Sequence, residues 1–318
     1  MSGSETDRRK GSGTDAVPAV FLVNPASAGG TTGRRWPELA HRAAALGLTG
    51  DTLFSERPGH LRELARDAAE AGTDLVVAVG GDGTVNEVAS GLVGSATRLA
   101  VIPRGTGVDF VRTFAIPTRL EDAVRVALHG ATRVVDAGRV GYRTWSGDAG
   151  EGWFVNVAGV GMSGAVAKRT NESSKALGGK VSYFWSTLAV FARWQNTEVQ
   201  VTVDGEIRSG RMHEVIVANG RYLGGGMMMT PDATPDDGRF DVLVIGDLTK
   251  ADLVRTLPKV YRGTHLPHPK AELLRGATVS VDAPDPLPVQ LDGEQPGTTP
   301  VRFEVVPGAL RLRVPPSG

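Results

Sequence analysis

From Pro18 onward the apolar positions fall in short unbroken runs, parted by stretches with helical spacing. "VPAVFLVNP" predicts a strand, and "GRRWPELAHRAAALG" a helix that stops at Gly47. "TGDTLFS" and "PGHLRELARDAAEAG" repeat the pair, with the second helix ending at Gly72. "DLVVAVG" with "TVNEVASGLVG", then "RLAVIP" with "LEDAVRVALHG", repeat it twice more. Apolar strands alternating with helices of roughly 10–15 residues predict βαβ units and a parallel sheet covered on both faces.

After about Arg133 the period changes. "TRVVDAGRVGY", "GWFVNVAGVG", "TEVQVTVDGEIRSG", "MHEVIVANG", "GRFDVLVIG", "ATVSVDA", "LPVQLDGE" and "VRFEVVPGALRLRV" are short, alternating and separated by turn residues. That grammar predicts antiparallel β-structure. Helical stretches interrupt it near Lys175 to Gln195 and near Lys250 to Tyr261. The predicted organisation is a polar tail over 1–16, an α/β domain with a parallel sheet over 17–134, and a β-rich domain over 135–318. The last strand is a candidate to return to the first domain.

Composition narrows the classes of function. With 318 residues, 41% of them hydrophobic, the chain can bury a core for about two domains. Its formal net charge of zero gives no general attraction to nucleic acid or to an anionic membrane, so any such contact must come from a local patch. The absence of cysteine excludes disulfides, thiol catalysis and thiolate metal sites. No run approaches the roughly 18 apolar residues of a membrane span. "MSGSETDRRKGSGTDA" lacks the apolar centre of a secretory signal. A cytoplasmic location is expected; oligomeric state is left open.

Three strand ends carry loop chemistry: Asn24-Pro25-Ala26-Ser27-Ala28-Gly29-Gly30, Gly80-Gly81-Asp82-Gly83-Thr84 and Pro103-Arg104-Gly105-Thr106-Gly107. In an open α/β sheet, ligands sit beyond the carboxyl ends of the strands. Small residues there let phosphate oxygens reach backbone N–H groups at helix starts. One such loop reads more readily as a tight turn; three on one sheet edge favour a phosphate site. Asn86 and Glu87 could equally decorate the helix that follows. A carboxylate among phosphate-binding glycines repels its ligand unless a cation joins it, so Asp82 suggests a Mg²⁺–nucleotide site. The P-loop pattern GxxxxGK[ST] is missing. The GxGxxG at Gly159 to Gly164 lies in the β-rich half, without the context of a dinucleotide fingerprint.

Taken in order, Asn24-Pro25, Gly80-Gly81-Asp82-Gly83-Thr84-Val85-Asn86-Glu87, Pro103-Arg104-Gly105-Thr106, Asn156 to Gly161, Pro231-Asp232-Ala233 with Asp236 to Asp241, and Leu291-Asp292-Gly293-Glu294 resemble the diacylglycerol kinase catalytic-domain family, which includes bacterial lipid kinases and sphingosine kinases. The resemblance spans nearly the whole chain from about Val17. It implies an NAD kinase- and phosphofructokinase-like nucleotide domain followed by a β-sandwich. It further implies ATP and Mg²⁺ as cofactors and phosphoryl transfer to a lipid hydroxyl at a membrane surface, by a protein only transiently bound there. Carried over by position, Asn24, Pro25, Ala26, Ser27, Ala28, Ser55, Gly80, Gly81, Asp82, Gly83, Thr84, Asn86, Glu87, Gly105, Thr106, Asp109 and Glu294 would surround the nucleotide. Asp292 would be the general base, with Asp82 as its rival. Asp237, with backbone oxygens of Thr234 and Arg239, would hold a structural Mg²⁺.

Two positions depart from the family pattern. Val108 replaces the Asn of G-T-x-N-D-F, and Ser163 replaces a frequent Asp. On local sequence alone both "DGE" segments, at Asp204 and Asp292, are hairpin turns. His265 and His268, split by Pro267, read as a solvated loop. The basic residues between Lys250 and Arg275 read as a solvated face or as an anionic-membrane contact. The apolar run Val181 to Phe191 could line a lipid pocket or be core. Two other functions stay open: an NAD-kinase-like small-molecule kinase, and a nucleotide-binding protein without turnover.

Overall fold

The computed structural model describes residues 17–316 except 106, 178–189 and 192. The first half runs β1 (Val17–Val23), α1 (Thr31–Ala45), β2 (Leu48–Phe54), α2 (His60–Glu70), β3 (Leu75–Gly80), α3 (Asp82–Leu92), β4 (Arg98–Pro103), α4 (Asp109–Thr113) and α5 (Leu120–His129). Its strands pair in parallel in the order β2-β1-β3-β4. Successive residues enter opposite cores. Leu22, Val76, Ala78 and Val101 pack with Leu61 of α2 and Val88 of α3, while Phe21, Val77, Val79 and Ile102 pack with Trp36 of α1 and Leu120 of α5. Burial on both faces is why these strands read as continuous apolar runs.

Two local features depart from the pattern-based reading. α3 begins at Asp82, ahead of the apolar periodicity, with Gly81 as N-cap and the Val85 N–H on the Gly81 carbonyl. The glycine-rich turn is therefore the first turn of a helix. α4, with five residues, is too short to show a helical period.

The second half comprises β5 (Ala131–Thr144), β6 (Ala149–Phe154), β7 (Val157–Gly161), α6 (Met162–Leu177), β8 (Thr197–Val203), β9 (Glu206–Ala218), β10 (Tyr222–Leu223), β11 (Met227–Met228), β12 (Phe240–Gly246), α7 (Lys250–Tyr261), β13 (Ala271–Gly276), β14 (Thr278–Asp282), β15 (Pro288–Leu291) and β16 (Glu294–Val314). The pairings among β5–β15 are antiparallel. Their interior is centred on Phe154, which stacks on Phe240 at 5.4 Å and meets the edge of Phe303 at 6.0 Å. The helix expected from Lys175 starts earlier, at Met162, directly after β7. Most of the Val181 to Phe191 run and the whole 1–16 tail lie outside the described residues. His265 is buried rather than solvated, because Leu266 anchors its loop in the core beside Met229.

β16 joins the halves. It pairs antiparallel with β15, β14 and β5, and Arg311 and Leu312 then run parallel to Arg98 and Leu99 of β4. Among the described residues the result is one hydrogen-bonded sheet of 14 strands.

Candidate active site

With β2 and β3 on opposite sides of β1, the chain leaves the ends of β1 and β3 in opposite directions. Such a switch point opens a crevice at the carboxyl edge of the sheet. The Asn24–Gly30 loop and the start of α3 both lie there. Asn24 ties them together: its Nδ2 donates to Thr84 Oγ1 (3.1 Å) and its Oδ1 accepts from the Ala26 N–H (3.0 Å). The Ser27 hydroxyl donates to the Asn24 carbonyl at 2.9 Å, Pro25 accepts from the Gly33 N–H, and Ala28 takes a φ of 51°. These residues build the wall of the crevice by binding one another.

The glycines divide by what a side chain would meet. A Cβ on Gly80 would lie 2.2 Å from Thr84 Oγ1, and one on Gly105 would lie 2.7 Å from Gly81 Cα, so packing forces both to be glycine. A Cβ on Gly81 or Gly83 would approach nothing closer than 3.5 or 3.4 Å. Packing therefore does not require glycine at these two positions. Arg104, on the neighbouring loop, has a buried Nε with no hydrogen-bond partner among the described residues. Arg104 belongs to the third loop but is not among the residues carried over to the nucleotide; a guanidinium nitrogen without a partner at this edge suits an anion. Thr106 lies outside the described residues.

Asp82 is not simply exposed to the crevice. Its Oδ1 accepts from the Phe110 N–H at 3.0 Å in the first turn of α4, and its Oδ2 lies so near Gly107 that a Cβ there would come within 2.5 Å. Asp109, buried one residue earlier, turns the other way: it accepts from the Gly225 N–H (2.7 Å) and pairs with Arg112 (2.8 Å). Burial raises its pKa, against the pull of Gly225 and Arg112. Ser55, at the end of β2, donates its N–H to Val23, and Glu87 accepts from the Leu61 N–H at the start of α2. The backbone of Ser55 thus lies beside the end of β1, and one oxygen of Glu87 is turned to the start of α2.

Asp292 sits on the β15–β16 turn with φ 49°, followed by Gly293 at 93°. This is the left-handed pair that Asp-Gly adopts in a two-residue hairpin. Four N–H groups converge on its carboxylate: Val155 (2.7 Å) and Asn86 Nδ2 (2.8 Å) on Oδ2, Asn156 (3.0 Å) and Val157 (2.8 Å) on Oδ1. Burial pushes its pKa up to about 6, opposed by these donors. Asn86 comes from α3, so Asp292 is bolted to the helix that begins in the glycine edge. A Cβ on Gly83 would lie 3.4 Å from Glu294 Oε1, which puts Glu294 beside the same turn of α3. Asn156 extends the network to α4 through Thr113 (3.4 Å).

The proposed metal loop is held differently. Asp237 accepts from the Arg239 N–H (3.0 Å), Thr234 Oγ1 donates to the Asp232 carbonyl, and Asp236 makes a two-pronged ion pair with Arg133. Among the described residues, no three His, Cys, Asp or Glu side chains converge as a metal cage. A cation here would rest on Asp237 and backbone oxygens.

The GxGxxG segment turns out to be a strand-to-helix junction, between β7 and α6. Its helix start is filled from within: Glu214 accepts from the Ser163 N–H (2.7 Å) and hydroxyl (2.6 Å). Burial pushes the Glu214 pKa up to about 8.

The comparisons with known proteins agree with this arrangement. Residues 18–140 match the diacylglycerol kinase catalytic domain, and residues 156–314 match the YegS C-terminal NAD kinase beta sandwich-like domain. The diacylglycerol kinase of Mycobacterium tuberculosis (strain H37Rv) is 31% identical over 267 residues, which cover 81% of this chain and 82% of the relative. That of Bacillus subtilis (strain 168) is 28% identical over 290 residues, covering 90% and 92%. The crystal structure of a diacylglycerol kinase from Bacillus anthracis str. Sterne has the same fold, with a TM-score of 0.69 at 20% identity over 94% of this chain and 97% of that one. The chain belongs to the diacylglycerol kinase catalytic-domain family and is a kinase. No described helix is long and apolar enough to cross a membrane.

Proposed function

We propose that this kinase moves the γ-phosphoryl group of ATP to the hydroxyl of a diacylglycerol-type lipid at a membrane surface, with Asp292 as general base. The observation that carries this reading is the Asp292 carboxylate, buried, held by four N–H donors and fixed through Asn86 to the helix that starts in the glycine edge. The acceptor class is supported by the names of the relatives, which are diacylglycerol kinases.

Backbone N–H groups at Gly81 and Gly83 would hold the phosphates, with Arg104 adding positive charge. Mg²⁺ bound at Asp82 and Glu294 would offset the charge on the phosphoryl oxygens. A second Mg²⁺ at Asp237, with backbone oxygens of Thr234 and Arg239, would be structural. Above about pH 6 Asp292 is ionised and can take the lipid hydroxyl proton. Three of its four donors are backbone and fixed; Asn86 is a side chain and can release Oδ2 to the incoming hydroxyl. Burial keeps out water, which would otherwise compete for the phosphoryl group.

The test is transfer of labelled phosphate from ATP into a total lipid extract. The wild type should label a phosphatidic acid-type product. Gly83→Ala should fold normally, because its Cβ has room, yet bind ATP about 10-fold or more weakly, as expected for a loss near 1.4 kcal/mol. Asp292→Asn should lose at least 100-fold in turnover, in the range for removal of a general base. Near-wild-type transfer by Asp292→Asn would remove its assigned role.

A further inference from the structure

α7 is a 12-residue helix with no buried residue. Helices of that length in globular proteins normally bury an apolar stripe. This one instead exposes it: Val254, Leu257 and Tyr261 are 63%, 49% and 50% accessible. At 100° per residue they fall within an arc of about 60° along one side. The inner side docks through Val260, which packs against the buried cluster of Ile216, Met229 and Leu243. Yet the helix is firmly begun. Thr249 and Asp252 form a capping box, and Lys270 pairs with Asp252 at 3.3 Å, so the helix's one carboxylate is consumed internally. The remaining charges are Lys250, Arg255, Lys259 and Arg262, all exposed; the last three border the apolar stripe along one edge.

We infer that α7 is an interfacial helix that docks the protein on an anionic lipid bilayer. Large apolar side chains beside a row of cations, on a helix too short to span, match the composition of helices that lie in the headgroup plane. A zero net charge would give the whole molecule no such affinity, so the patch must supply it. Each cation near an anionic surface contributes about a fivefold gain in partition. The placement suits the task. The chain after α7 packs Gly263 against Met228 of β11, and the β10–β11 loop reaches back through Gly225 to Asp109 of α4. Docking here holds the α4 side of the crevice against the lipid. The inference extends the lipid-kinase reading by naming the surface through which the acceptor is met.

The test is co-sedimentation, without nucleotide, with vesicles of equal parts phosphatidylglycerol and phosphatidylcholine, and with vesicles of phosphatidylcholine alone. The wild type should bind the anionic vesicles at least 10-fold better and lose binding as salt rises. Val254→Asp/Leu257→Asp and, separately, Arg255→Glu/Lys259→Glu should each cut binding at least 10-fold with unchanged melting temperature. Both variants should phosphorylate a dispersed short-chain diacylglycerol at the wild-type rate, yet lose rate on long-chain diacylglycerol in anionic vesicles. Wild-type vesicle binding by both variants would overturn the inference, as would a dimer that Leu257→Asp dissociates. Vesicle binding without transfer to any lipid would leave the docking surface standing and sink the lipid-kinase reading instead.

Discussion

Val108 holds a backbone conformation that β-branched residues avoid, φ 52° and ψ 34°, at the N-cap of α4. The family pattern has Asn at this position, and Asn tolerates the left-handed region. The departure noted in the sequence is therefore a matter of backbone energy. Strain of this kind costs about 1–3 kcal/mol, which the packing of Val108 against the first core partly offsets. Val108→Asn should accordingly leave stability equal or higher by up to about 1 kcal/mol, despite removing an apolar side chain. A denaturant midpoint showing a loss beyond that would mean the strain is not there. The two Asp-Gly-Glu turns show what single residues disclose. Asp204 and Asp292 share their neighbours and nearly their φ, 46° and 49°. Asp204 stays exposed and accepts from Ala277 and Thr278, whereas Asp292 is buried beneath a backbone segment 135 residues away in sequence. No local window holds that difference; only the order of distant motifs pointed to it.

Among the elements, β1, β3 and β4 were legible because two-sided burial leaves a long apolar signature. α4 was not, yet it links both acids considered as base: its first turn is capped by Asp82, and its last residue, Thr113, touches the Asn156 that neighbours Asp292. Asp82 thus carries a structural duty that its setting among glycines does not advertise. Asp82→Ala should lower stability by about 1 kcal/mol through the lost cap, while Asp82→Asn keeps an acceptor for Phe110 and should melt like the wild type. Both should lose transfer activity if the charge organises Mg²⁺. An Asn variant with full activity would reduce Asp82 to a cap. The β7–α6 junction teaches the converse. Its glycines lack the sequence context of a dinucleotide site, and in the structure Glu214 occupies the helix start from within.

For the molecule as a whole, Glu214 dominates one part of the pH response. Its pKa is about 8 when folded against 4.5 for the free side chain, so between these values the folded state holds the extra proton. Stability is then lost as pH rises from about 4.5 to about 8, and levels off above. Glu214→Gln should remove this slope, raising stability over the wild type at pH 9 by a few kcal/mol relative to the difference at pH 4. Parallel melting curves at both pH values would show that burial does not shift the group. The change from parallel to antiparallel grammar near Arg133 was readable from spacing, since each half repeats its own period. The pairing of Arg311 and Leu312 with β4 is non-local and left no trace in spacing.

The position of β16 has an effect on timing. Chains emerge from the ribosome amino end first, and the α/β layer can assemble early. The hairpin that presents Asp292 is closed only by β16, and the same strand then threads back to β4. A nascent chain therefore exposes a glycine edge long before it owns an anchored carboxylate, and the proposed base is fixed in one late step, when residues 294–314 come free.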